Sequence, residues 1–306
     1  MLRFIAGRLL QAIPVIFIVI TATFFLVRAA PGGPFDDEKV VLPEVKKALE
    51  AQYKLDLPLH EQYLAYLSDL SQGDLGPSFK YPGRSVNEIL FSGLPVTAEL
   101  GLYALLIALI IGTTAGVFAS LKPNTVQDYI PMSLAMVGIC MPSFLLGPLL
   151  VLVFGIYLEW LPISGWGAIP GDKILPSITL GAAYAAYIAR LSRAGMLEIL
   201  SQDYIRTARA KGLSEIAILF RHILPNAMIP ILTGIVVLIP SLFMGSLLLE
   251  SFFAVPGLGS YTIDAINKQD VAIVRAMVFL GSVLYIIGLI LVDITYTVVD
   301  PRVRLT

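Results

Sequence analysis

The chain has 306 residues, of which 57% are hydrophobic and only 14% charged, and its formal net charge is −1. Soluble domains carry about 25% charged and 45–50% apolar residues, so this composition excludes an ordinary water-soluble protein and requires lipid as its solvent. The near-neutral charge gives nucleic acid no electrostatic footing, and the single cysteine, Cys140, excludes an internal disulfide and reads as a small packing residue in an apolar run.

A helix of about 20 apolar residues crosses a hydrocarbon core of about 30 Å. Six segments meet that length: 9–27, 97–121, 130–158, 174–191, 227–249 and 274–299. Arg3 and Arg8 precede the first, and Val27-Arg-Ala29 follows it, a pattern that would also suit a cleaved signal peptide. Its apolar run is longer than the roughly 7–15 residues of a signal core, so an uncleaved span is expected.

Residues 31–95 form a long loop of mixed charge. Residues 43–52 read as a short helix with Pro43 in its first turn. Residues 58–70 read as another, with Leu59, Tyr63, Tyr66 and Leu67 on one stripe. Residues 73–80 are rich in turn formers. The chain thus divides into an N-terminal segment with its first span (1–30), a small ordered extracytoplasmic subdomain (31–95) and a five-span core (96–306) that contains a polar loop at 196–225.

Within the core, Ala108, Gly112 and Gly116, and again Gly181, Ala182, Ala185 and Ala186, have the spacing that lets helices approach closely in lipid. Pro14, Pro142, Pro148, Pro230 and Pro240 fall inside spans, where they interrupt the hydrogen-bond ladder and bend helices. Basic residues cluster before the first span, in 190–225 (Arg190, Arg193, Arg206, Arg209, Lys211, Arg221) and in the tail (Arg302, Arg304). Six spans place these three regions on one face, and the excess of Lys and Arg makes that face cytoplasmic, with both termini on it. Tyr157, Trp160 and Trp166 then fall at the opposite interface. Asp293 is the clearest intramembrane charge, shallow enough for a structural hydrogen-bonding role as well as a functional one. Glu99 and Glu250 read as interfacial.

Several chemistries are excluded by what is missing. No Gly precedes a Lys directly, so there is no phosphate-binding loop of the GxxxxGK[ST] type. His60-Glu61 fails the zinc-protease pattern because position 64 is Leu, and no G-x-S-x-G elbow is present. Two histidines, His60 and His222, cannot build a histidine-rich metal site. No metal or cofactor is expected, and the chain does not read as an enzyme.

The loop at 200–220 reads as two short helices hinged at Gly212, which can take positive φ and end the first. Thr207, Ala208 and Ala210 keep its surface low, Arg206, Arg209 and Lys211 ring it with charge, and Pro225 ends the region before the next span. Composition alone also permits an amphipathic loop lying on anionic headgroups. Residue order carries further. Arg206-Thr-Ala208, then Gly212, then nine residues, then His222-x-Leu-Pro225 resembles the signature loop of ABC importer membrane subunits. That signature reads Glu-Ala-Ala, three residues, Gly, nine residues, Ile-x-Leu-Pro. The departures at Arg206, Thr207 and His222 are those of the family's dipeptide/oligopeptide branch. Gly73-Asp-Leu-Gly-Pro-Ser78, Leu175-Pro-Ser-Ile-Thr-Leu180, Glu250-Ser-Phe-Phe-Ala-Val-Pro-Gly-Leu-Gly259 and Asp300-Pro-Arg-Val-Arg304 extend the resemblance along the chain, whereas Lys268-Gln-Asp-Val-Ala272 departs from it.

The resemblance implies an all-α polytopic membrane protein with six transmembrane helices in the type I ABC importer permease fold. It implies a bacterial inner-membrane location, a homologous second permease subunit, two ATPase subunits and an extracytoplasmic peptide-binding protein. It also implies that 201–214 docks on the ATPase, through Asp203, Tyr204, Arg206, Thr207, Ala208, Arg209, Lys211 and Gly212, with Glu215, His222 and Pro225 beside them. Peptide would pass a lining in which Ser143, Thr179, Tyr184 and Ser241 are candidates. A permease for dipeptides, nickel or another small solute fits the same loop. An ion-coupled secondary transporter would instead need a chain of buried ionisable groups.

Overall fold

The computed structural model describes residues 2–29, 55–81, 83–244 and 246–299. The expected helix at 43–52, the Pro-Gly-Gly stretch after the first span and the basic tail lie outside these. The described residues are helical, with no strand and one isolated antiparallel bridge between Pro77 and Ser85.

Helix α1 (Leu2–Ala29) and helix α12 (Val271–Val299) lie side by side and antiparallel. Arg8 pairs with Asp293 at 2.9 Å near one end, and the Arg275 guanidinium lies 5.6 Å from the Phe24 ring near the other. Asp293 therefore has a structural partner. Helix α2 (Leu59–Ser71) rests on the far end of α1 through the predicted stripe. Tyr63 and Tyr66 pack against Phe24, and the Tyr63 and Thr21 hydroxyls are 2.6 Å apart, but Leu59 is exposed.

The bundle is organised around α3 (Val86–Ser120) and α6 (Ile174–Leu200). Ser85 caps α3, accepting from the Glu88 N–H at 3.2 Å. The small residues place the two backbones in contact. A Cβ on Gly112 would sit 2.5 Å from the Ala185 carbonyl oxygen, and one on Gly116 would sit 2.4 Å from that of Ala189. In lipid such contact is what binds helices, since burial from water contributes nothing between them.

The segment expected as one span at 130–158 is broken in two. Helix α4 (Val126–Cys140) and the helical stretch Ser143–Tyr157 meet at 111°. Pro142 explains the break: it cannot continue the ladder, and it holds Met141 extended (φ −89°, ψ 116°). Beyond it, α5 (Ser143–Leu150) widens into a π-helical stretch, Val151–Tyr157. Pro14, Pro148, Pro230 and Pro240 are accommodated inside helices. Counting the bent pair once, six helical segments among the described residues are long and apolar enough to cross a bilayer.

After α9 (Leu224–Met244) the chain turns back through α10 (Leu247–Phe252) and α11 (Leu258–Asn267) before α12. Glu250, expected at the interface, is fully buried. Its carboxylate accepts the Gly259 N–H at 2.7 Å and the Thr97 hydroxyl at 3.2 Å, while that hydroxyl accepts the Leu258 N–H at 2.8 Å. The return loop needs an acceptor for its own amides, and Glu250 supplies it. Glu99 is likewise engaged, by Lys173 at 2.6 Å and the Trp166 indole at 3.1 Å, so Trp166 is tied down whereas Tyr157 and Trp160 are exposed. On the same side, the turn at 73–81 is held to the α11–α12 junction, with the Ser78 hydroxyl donating to Asp270 at 2.5 Å and the Tyr81 hydroxyl to Asp264. Burial acts to raise the Asp264 carboxyl, but the bonds from Lys268 and Tyr81 outweigh it and hold it below the usual range.

Candidate functional site

Helix α6 ends at Leu200, extended Gln202 turns the chain, and α7 (Asp203–Ala210) begins. Ile205 and Ala208, three residues apart, lie on one stripe of α7. They are buried against Met196 of α6, Ile218, Ile223, and Ala227 of α9. The elbow is thereby bolted to both helices it joins. Ala208, expected on the outer surface, is 6% exposed because it shares this inner stripe.

The outer face carries the remaining predicted residues of α7 and the turn. Asp203, Tyr204, Arg206, Thr207, Arg209, Lys211 and Gly212 are all exposed. Gly212 adopts φ +79°, its N–H bonds the Arg209 carbonyl at 2.9 Å, and Leu213 N–H reaches back to Ala208 at 3.3 Å. This is the left-handed glycine stop of a helix. A Cβ added at Gly212 meets nothing within 4 Å. Ser214 then caps α8 (Glu215–Ile218). The Arg209 guanidinium grips Glu215 through Nε and Nη2, at 2.8 and 3.1 Å, and this bond raises the Arg209 pKa above its ordinary value. A solvent-exposed pair adds little to stability; its role is to fix the angle between the two short helices.

Pro225 does not end the region. Residues Glu215–Leu242 are helical throughout, and a π-helical turn at Leu219–Ile223 immediately precedes Pro225. A wider turn removes the need for the N–H that proline lacks. Pro225 is exposed and His222 half-buried. Two surface residues escaped the sequence reading: Ile216 is 72% and Phe220 67% exposed. They are four apart, so they share one helix face beside the basic turn. The signal was present in their phase, which is offset from the buried pair Ile218 and Ile223.

Behind the elbow, Arg193 of α6 makes a two-pronged bond with Asp128 of α4, 2.6 Å on each arm, and the Asn124 N–H caps the same carboxylate at 3.0 Å. This ties the start of the broken span to the helix that carries the elbow. Of the four lining candidates, Tyr184 and Ser241 come together, their oxygens 3.4 Å apart between α6 and α9. Thr179 is buried and donates to the Leu175 carbonyl, and Ser143 stands apart at the start of α5.

Comparison with known proteins bears on this geometry. Residues 112–305 match the binding-protein-dependent transport system inner membrane component, and residues 1–79 match the N-terminal part of the same class. The chain belongs to this family. It is 45% identical over 305 residues to the oligopeptide transport system permease protein OppB of Haemophilus influenzae, covering 99% of this chain and 100% of that one. It is 42% identical over 305 residues to the dipeptide transport system permease protein DppB of Bacillus subtilis, covering 100% and 99%. Among solved structures, the inward-facing MetNI methionine ABC transporter aligns with TM-score 0.56 at 18% identity, over 69% of this chain and 96% of that one. The inner membrane component thus has the ABC importer permease fold.

Proposed function

We propose that this chain is one of two homologous membrane subunits of an ATP-driven oligopeptide importer of a bacterial inner membrane. Two ATPase subunits work it through the 201–214 elbow, and a soluble binding protein delivers peptide from outside. The observation that carries the reading is the elbow itself: a rigid, exposed, basic turn bolted to α6 and α9, in a chain with end-to-end identity to oligopeptide permeases. The excess of basic residues in the elbow and near both ends supports a cytoplasmic elbow and cytoplasmic termini.

The mechanism follows from the bolting. ATPase closure draws the outer face of α7 and the turn inward, and because Ile205 and Ala208 are locked between α6 and α9, both helices tilt with it. The ATPase must hold the elbow in both states, since an effector shifts an equilibrium only by its differential affinity. Ile216 and Phe220 supply apolar anchors, and Arg206 and Lys211 supply register. Tyr184 and Ser241 give the pathway a polar, sequence-tolerant wall.

Purification in mild detergent from native membranes tests the assembly: two ATPase chains and a second six-span chain should accompany this one, and a chain that purifies alone contradicts it. The identity to a dipeptide permease supports a second reading of the solute. Competition of labelled pentapeptide uptake by excess dipeptide separates the two; full competition favours the dipeptide reading.

A further inference from the structure

At the end of the molecule away from the elbow, α1, α2, the 73–80 turn and the start of α12 enclose a cavity of about 260 Å³. Arg275 lines it, one turn inside the start of α12. The guanidinium lies against two rings, 5.6 Å from the centroid of Phe24 and 4.8 Å from that of Tyr66. Its Nε is buried and has no hydrogen-bond partner. Arg28 of α1 adds a second positive charge within electrostatic reach, and the Asp270 carboxylate, itself taken up by the Ser78 hydroxyl and the Lys80 N–H, adds a negative one. Asp69 and Asp74 also line the cavity. The site therefore has a positive pole and, apart from it, a negative one.

A guanidinium with open donors in a partly apolar setting is costly unless an oxyanion meets its fork. Position indicates the source of that oxyanion. Arg275 stands where two spanning helices reach the membrane surface, beside aromatic rings of the kind that settle at headgroup level. We propose that this cavity holds the headgroup of a zwitterionic phospholipid, with the phosphodiester on Arg275 and the ammonium toward Asp69 and Asp74. The proposal rests on the membrane placement above but not on the solute, the ATPases or the direction of transport. A bound headgroup pins α2 and the 73–80 turn to α1 and α12, and so makes the extracytoplasmic cap a lipid-dependent part of the bundle. Free phosphate could supply the same oxyanion, but it would gain nothing from the two carboxylates.

The test uses the full chain, purified and stripped of lipid, without nucleotide or peptide. Dihexanoyl phosphatidylethanolamine, dihexanoyl phosphatidylglycerol and inorganic phosphate are titrated while thermal stability is followed, and native mass spectrometry counts retained lipid. Phosphatidylethanolamine should raise the melting temperature by several degrees at saturation, and phosphate should not. Arg275→Met keeps the volume and the ring contacts, and it should weaken phosphatidylethanolamine retention by about tenfold or more. Asp69→Asn with Asp74→Asn should narrow the preference for phosphatidylethanolamine over phosphatidylglycerol while leaving binding itself, a readout that survives if Arg275→Met fails to fold. Equal stabilisation by phosphate overturns the lipid assignment. Undiminished retention by Arg275→Met overturns the site.

Discussion

Gly212 is a residue around which the fold leaves open space, which the proposed function gives to a partner. Its φ of +79° is left-handed, and no atom lies within 4 Å of the position a Cβ would take. Gly212→Asn, which tolerates that conformation, should cost about 1 kcal/mol or less and leave function near normal. Gly212→Trp projects an indole into the space a partner would fill. Membrane insertion and yield should match wild type while co-purifying ATPase falls by about tenfold or more, equivalent to roughly 1.4 kcal/mol. Full recovery of ATPase with the Trp variant contradicts the docking role. Glu250 is the opposite case, a residue whose value is internal. Glu250→Ala leaves the Gly259 amide and the Thr97 hydroxyl without their acceptor, at a cost of about 1–3 kcal/mol, and Glu250→Gln, which keeps a carbonyl acceptor, should recover much of it in a thermal melt. Its burial was not legible in the chain, because the hydroxyl that explains it is 153 residues away in sequence.

Among elements, the α3–α6 pair and the α4–α6 tie join the helix that carries the elbow to the rest of the bundle. Gly116→Val puts branched carbon where the Ala189 carbonyl lies 2.4 Å from a Cβ. The helices must part, and the expected result is loss of folded protein on size-exclusion chromatography; Gly7→Ala, with nothing within 4 Å, is the neutral control. Arg193→Met leaves the Asp128 carboxylate buried without its partner. A fully buried pair broken this way loses about 3–5 kcal/mol, and the 28% exposure of Arg193 reduces that. Arg193→Met paired with Asp128→Leu should restore stability without restoring coupling, since the tie is replaced by grease. Equal recovery of stability and transport would mean that the pair has no part in carrying motion. The close pairing of α3 and α6 was readable from small residues at helical spacing. The break at Pro142 was not, because an apolar run with a proline looks the same in sequence whether it bends by a few degrees or by 111°. Ala208 was misplaced for a related reason: composition marks a residue as small, but only the packing of Ile205 fixes which way its stripe faces.

At the scale of the whole molecule, the described helices form a bundle with a cap of short elements at one end and a basic elbow at the other. Six apolar segments and one basic loop were enough to give that outline, since bilayer thickness and charge asymmetry act on composition directly. Which polar side chains meet across the bundle depends on helix rotation, and for that reason only Tyr184 and Ser241 of the four lining candidates came together. The most direct test of the central claim is uptake of labelled oligopeptide by vesicles reconstituted with the complete assembly, measured with ATP, without ATP, and with Gly212→Trp in place of wild type. Accumulation should require ATP and fall to background in the variant. Accumulation that persists without ATP, or that proceeds unimpaired through the variant, would contradict a bundle driven from its elbow.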